Sequence, residues 1–381
     1  MTLPRWKRWR HAAILGVGAL SLALAAAGCG GGGQAQGNSA TPASKAAGSS
    51  ASTTTQATQH LTVLELTPTP SPTLWFFSLA QALGAFKKYG LDVTIRHSSG
   101  GGPEKIQALL GGQADVVTSD IIAFLSAVNQ GSKLNVIFVP TPNYAQSLLA
   151  EKSITDPSQL NGKGFAVPSL GGAARFLAME VLQHYGVDTN SIHWTVSPGT
   201  LGRLTLVETG HAQGDLEPPD QVALLQGGKY PNIHVLVPST VEATGPFPNF
   251  VFVTTPAIEQ SHAEALNRLT EAMLYTMRTF EQDPSAYAKA ALDVAGKPYT
   301  LEELTNVGKT LAQDQEWGVN GGINLASIDK VEKLFFSVTK QPNRLPPTNQ
   351  LVDTQFLSNA LKKLGMATVG HDIPDWEKAS S

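Results

Sequence analysis

Residues 91–118 read Leu91-Asp-Val-Thr-Ile-Arg96, His97-Ser-Ser-Gly-Gly-Gly102, Pro103-Glu-Lys-Ile-Gln-Ala-Leu-Leu110, Gly111-Gly-Gln-Ala114 and Asp115-Val-Val-Thr118. The first six alternate apolar and polar side chains, as a half-buried strand does. Three glycines then open a loop, Pro103 starts a helix, and Gly111-Gly112 stops it before a second apolar run. A strand, a short helix and another strand in so few residues fit a parallel pair joined by a right-handed crossover.

Working outward, the same alternation continues on both sides. Upstream, Leu61–Leu66 is a strand, broken by Thr67-Pro-Thr-Pro-Ser-Pro72. Leu74–Tyr89 has helical spacing (Trp75, Leu79, Ala82, Leu83, Phe86) and ends at Gly90. Downstream lie a helix over Ile121–Gln130 and a strand over Leu134–Val139. After a connecting segment, Tyr144–Thr155, a second unit begins. It has strands at Gly164–Val167, His193–Val196, Gly214–Leu216 and His234–Val237, with helices at Ala173–Tyr185, Leu201–Glu208 and Gln221–Gln226. Phe250–Thr254 is one more strand. Beyond Pro256 the pattern is helical: Ala257–Glu281, Pro284–Val294, Leu301–Leu311, Leu325–Phe336 and Thr354–Leu364. The expected fold class is therefore α/β, two mainly parallel sheets flanked by helices, with a helical C-terminal tail.

The N-terminal sixty residues are of another kind. Met1–Arg10 is basic, His11–Ala27 is apolar, and small residues lead into Gly28-Cys29, the plan of a bacterial secretory signal peptide. Leu24-Ala-Ala-Ala-Gly-Cys29 resembles a lipobox, with Ala26 where Leu is usual; this implies cleavage before Cys29 and lipidation of its thiol. Residues 30–59, mostly Gly, Ala, Ser, Thr and Gln, cannot bury a core and read as a tether with a reach of roughly 30 Å.

Cys29 is the only cysteine in 381 residues, which excludes an internal disulfide and a cysteine-based zinc cluster. The nine histidines show no metal-ligand pairing, so neither a metal nor a cofactor is expected. Residues 60–381 carry 22 basic and 30 acidic side chains. An acidic body without a basic stripe sets nucleic acid aside.

Three segments, Gly90-Leu-Asp-Val93, Gly100–Asp115 and Asp156-Pro-Ser-Gln-Leu-Asn-Gly-Lys-Gly-Phe-Ala-Val167, carry a further reading through their order and spacing. The chain resembles the substrate-binding proteins of bacterial ABC importers of the nitrate, sulfonate, taurine and thiamine-precursor type, over roughly residues 61–365. The resemblance implies a two-lobed periplasmic-binding-protein type II fold. It would comprise a signal peptide (1–28), a lipidated cysteine and linker (29–59), the first part of lobe one (60–156), lobe two (157–244), and a return strand with C-terminal helices (245–381). It also implies a monomer, extracytoplasmic and lipid-anchored to the cell membrane. Such a protein captures a small polar solute between closing lobes and hands it to an ABC permease with its ATPase subunit.

In open α/β sheets ligands sit beyond the carboxyl ends of the strands. That rule selects Thr67, Thr69 and Trp75 after the first strand, Gly101 after the second, and Ser119 after the third, with Asp120 as a helix N-cap. Asn143 and Tyr144 fall at the crossover. Ser169, Gly171, Gly172 and Ala173 lead into a helix whose free amides suit an anion. Glu217, in the acid-Pro segment Asp215–Pro219, suits an amine or heteroaromatic N–H. Each also has a plain reading: Trp75 as helix core, Gly101 as a turn, Glu217 as a solvated acid, Arg203 and Arg175 on solvated helix faces.

Two other functional classes remain open on the sequence. Enzymes of the same fold act on small heterocyclic or sulfur compounds, but those resembling this family use thiols that the body lacks. A surface lipoprotein without transport is the other.

Overall fold

The computed structural model describes residues 57–66, 71–226 and 228–368. The signal peptide, Cys29 and most of the tether lie outside these residues, as do Thr67 and Thr69.

Among the described residues ten strands form two five-stranded sheets. The first contains β1 (Gln59–Leu66), β2 (Leu91–Ser98), β3 (Val116–Asp120), β4 (Asn135–Phe138) and β10 (Phe250–Thr254), in the order β2-β1-β3-β10-β4. The second contains β5 (Ser147–Glu151), β6 (Gly164–Val167), β7 (His193–Val196), β8 (Gly214–Glu217) and β9 (Ile233–Val237), in the order β7-β6-β8-β5-β9. β1 runs parallel to β2 and β3, and β6 parallel to β7 and β8. In each sheet one strand is antiparallel to both its neighbours: β10 between β3 and β4, and β5 between β8 and β9. Those two strands are the first elements after the two crossover segments between the sheets.

Three expectations change. The segment Tyr144–Thr155 contains β5, so the second sheet begins at Ser147 and not at 157. β5 was hidden because Ser147–Ala150 is buried throughout, and a central strand shows no alternation. The single helix over Leu74–Tyr89 is a 3-10 turn, Pro72–Leu74, then two short helices, Phe76–Ala82 and Ala85–Lys88. The break falls at Gly84, whose φ of 76° suits glycine. The helix expected over Ala257–Glu281 is likewise two, Pro256–Ser261 and Ala263–Gln282, parted at His262.

The core of the first sheet gathers on Phe252. Its ring lies 4.5 Å from that of Phe77, 5.4 Å from Phe138 and 6.2 Å from Phe76. Helix Ala263–Gln282 covers the sheet with Leu266, Leu269, Met273 and Met277, all buried. Among the described residues no helix is long and apolar enough to cross a membrane.

Candidate functional site

The carboxyl ends of β1, β3 and β8 bring charged groups into the interior. β8 reads Gly-Asp-Leu-Glu, so Asp215 and Glu217 point to one face of the sheet, two residues apart. Arg203, on helix Thr200–Glu208, meets both: its Nε lies 3.1 Å from Asp215 Oδ2 and its Nη2 2.9 Å from Glu217 Oε2. All three are buried. Arg203 is therefore not on a solvated face, because two carboxylates inside the sheet draw it in. Burial works against the guanidinium charge, but Glu217 and Asp215 raise its proton affinity. Burial, followed by the charge of Asp215, pushes Glu217 well above the ordinary carboxylate range.

Asp220 sits one turn further on, in helix Pro219–Gln226, and bridges the lobes. It accepts from Thr73 Oγ1 at 2.7 Å, Gln221 Nε2 at 3.0 Å and Tyr299 OH at 3.3 Å. Its donors are neutral, and burial holds its pKa up. Glu316 completes the group. Its carboxyl lies by the Ala145 amide, and Oε2 is buried without a partner. Burial and nearby Asp314 and Asp220 push this carboxyl well up. The phenol of Tyr144 lies in the field of Glu316, Arg203, Glu217 and Asp220.

In the first lobe, Glu65 at the end of β1 accepts from the amides of Phe77 at 3.0 Å and Ser78 at 3.2 Å, seating its charge on a helix start. Lys105 is buried beside Thr118, with its Nζ 3.5 Å from Oγ1. Desolvation pulls the ammonium down to about 8 against the opposing pull of Asp120, Glu65 and Glu104. Asp120 caps helix Ile121–Asn129, accepting from Ala123 N at 3.0 Å, and the Ala173 amide of the other lobe lies close enough to favour its charged form. The protein's own carboxyl thus faces the anion seat expected at the start of helix Ala173–His184.

The structure thus divides the sequence-selected residues. Tyr144 and Glu217 share the buried polar region, and Trp75 is buried two residues after Thr73, the donor to Asp220. Trp75 caps helix Phe76–Ala82, is 2% exposed, and its Nε1 has no acceptor. Tyr144 stands edge-on to Phe250, with ring centroids 5.6 Å apart. Ser119 is buried beside Asp120, and Gly102 leaves room for it: a Cβ there would lie 2.8 Å from Ser119 Oγ and 2.3 Å from Asp120 Oδ2. Gly101 is exposed at the cap of helix Gly102–Leu110. Ser169 and Gly171 are exposed, whereas Gly172 caps the helix that buried Ala173 begins. Asn143 donates to Gln315 O at 3.0 Å and lines a separate cavity of about 680 Å³ with Pro142, Ser239 and Asp314.

Arg175 stacks over Trp194, its guanidinium carbon 4.9 Å from the ring centre, and donates to Leu170 O. Sequence reasoning passed over Lys105, Asp215, Asp220, Tyr299 and Glu316. A signal existed for Asp215, since two acids on the same face of a strand expected to be buried require a cation opposite. Glu316 carried none, because it lies in an irregular stretch between helices. Among the described residues no group of three or more His, Cys, Asp or Glu is placed to hold a metal ion.

Comparison with known proteins follows this geometry. A protein of Bordetella bronchiseptica RB50 superposes with a TM-score of 0.63 at 19% identity, over 80% of this chain and 97% of its own. The ligand binding component of an ABC-type import system from Staphylococcus aureus, with zinc bound, gives 0.60 at 13%, over 79% and 99%. The periplasmic aliphatic sulphonate binding protein SsuA of Escherichia coli gives 0.56 at 17%, over 78% and 92%. At these identities the likeness shows the fold, a two-lobed periplasmic-binding-protein architecture, as the sequence led us to expect. No curated protein sequence matches the chain. The model of the family described as NMT1/THI5 like matches residues 71–286, and the chain belongs to that family.

Proposed function

We propose that this protein is an extracytoplasmic solute-binding lipoprotein that captures a small polar organic solute between its lobes and delivers it to an ABC permease. The observation that carries this reading is the pair of buried polar atoms without partners beside the interlobe residue Asp220, Glu316 Oε2 and Tyr287 OH, with Trp75 Nε1 likewise unpartnered two residues after Thr73, the donor to Asp220. Buried groups of this kind are normally satisfied, and a bound solute satisfies them. Closure of two lobes about a ligand follows from tighter binding to the closed state. The sulphonate named for the Escherichia coli neighbour is one solute class to test; thiamine-precursor pyrimidines are another.

Thermal unfolding of the purified chain with taurine, alkanesulfonates, nitrate, pyrimidine thiamine precursors, riboflavin and aromatic acids tests the reading. At a hundred times its dissociation constant a true solute adds about 2.7 kcal/mol. A flat panel, with no small molecule retained in native mass spectra, would count against solute capture. The anchor is tested separately. Cys29→Ser should move the protein from the membrane to the soluble fraction, since loss of the acyl chains removes about 0.8 kcal/mol per buried methylene. Unchanged membrane fractionation would rule out lipidation at Cys29.

A further inference from the structure

We propose that the buried site takes an organic cation, an ammonium or amidinium head seated among Glu217, Asp220 and Glu316 with its body against Trp75 and Tyr144. This rests on the solute-binding reading and narrows its substrate class. The charges at the strand ends carry the inference. Among the described residues two buried cations, Lys105 and Arg203, and the partly exposed His97, whose Nε2 lies 3.5 Å from Glu65, face six carboxyls: Glu65, Asp120, Asp215, Glu217, Asp220 and Glu316. Lys105 lies beside Asp120 and Glu65, and Arg203 is spent on Asp215 and Glu217. Asp220 has neutral donors only, and among the described residues neither it nor Glu316 forms an ion pair. Glu217 Oε1 faces the neighbouring Asp215 carboxyl and accepts from no donor group. A region with this surplus of buried carboxyls gains most from a positive ligand.

Two further observations point the same way. The start of helix Ala173–His184, where an anion would sit, faces the carboxyl of Asp120. The walls, moreover, are aromatic. Tyr144 and Tyr299 lie within the field of Asp220, and Tyr287 does too, its hydroxyl unpartnered and its ring 5.6 Å from Trp317. Aromatic faces attract cations and not anions. Trp75 Nε1, also unpartnered, offers a donor to an acceptor on the solute's body.

Isosteric pairs make the test independent of the natural solute. The full chain is titrated calorimetrically at neutral pH with benzamidinium against benzoate, and with butylammonium against butanesulfonate. The same titrations are run on Glu316→Gln and Glu217→Gln, each checked for an intact melt. At least one cation should bind about tenfold or more tightly than its anionic isostere, and Glu316→Gln should remove about tenfold of that affinity. An anion binding as tightly as its cationic partner would overturn the cation site and leave solute capture standing. A cation whose affinity neither variant changes sits elsewhere, which also overturns it. Silence from all four probes, with native mass spectra free of bound small molecules, would overturn both readings.

Discussion

Arg203→Met should destabilise the protein by about 3–5 kcal/mol, the range found when one partner of a buried ion pair is removed. The reason is the geometry at β8. The guanidinium bonds two carboxylates at once, and its loss leaves Asp215 and Glu217 side by side in the interior with no cation. Methionine retains most of the stem's volume, so the effect reports charge more than packing. Urea unfolding measures it through the midpoint at constant slope. Combining Arg203→Met with Asp215→Asn should recover part of the loss, because a single remaining carboxyl can stay protonated. A loss below about 1 kcal/mol in the single variant would mean that Arg203 is not what holds these acids in place.

The second large effect is on pH dependence. Burial raises the pKa of Glu217, Glu316, Asp215 and Asp220, and takes Glu281 to about 6. A carboxyl with a raised folded-state pKa holds a proton that the unfolded chain releases. Its contribution is full below the unfolded value, about 4 to 4.5, and is lost as pH rises through the folded value. Stability should therefore fall as pH rises above about 4.5, through the folded value of about 6 for Glu281 and onward through those of the more deeply buried carboxyls, each such group contributing a slope of up to about 1.4 kcal/mol per unit. Arg203 moderates the fall through Asp215 and Glu217. The phenols of Tyr144, Tyr287 and Tyr299 remain protonated throughout, since burial raises each of them. Lys105 acts in the opposite sense, but only above its folded value of about 8. Melting temperatures at pH 5, 6, 7 and 8 for the native chain and for Glu316→Gln check this. A temperature that climbs across that range, or an identical slope in the variant, would refute the assignment of the uncompensated charge to Glu316.

What the sequence disclosed depended on where each residue lies. Strands such as Gly164–Val167, His193–Val196 and Phe250–Thr254 were legible to the residue, because turns and glycines bound them. β5 was not, since a strand buried on both faces looks like any short apolar run. At the site, Trp75 could be selected by the rule of strand ends, Tyr144 by its place at the crossover and Glu217 by the acid-Pro segment, and Asp120 could be recognised as a cap. Its nearness to the Ala173 amide is a contact between lobes that no local pattern encodes. Glu316 came from the helical tail, far from every strand end, and only the return of the chain to the first lobe brings it to the centre.

The antiparallel strand β10 also fixes the order in which the molecule can be completed. Its neighbours β3 and β4 end at Asp120 and Phe138, but β10 itself spans Phe250–Thr254. A nascent chain released as far as residue 240 contains every strand of the second sheet. In the first sheet it has a gap where the strand between β3 and β4 belongs. Two unpaired strand edges flank that gap, and such edges invite pairing with other chains. The half of the body synthesised first is therefore the half finished last.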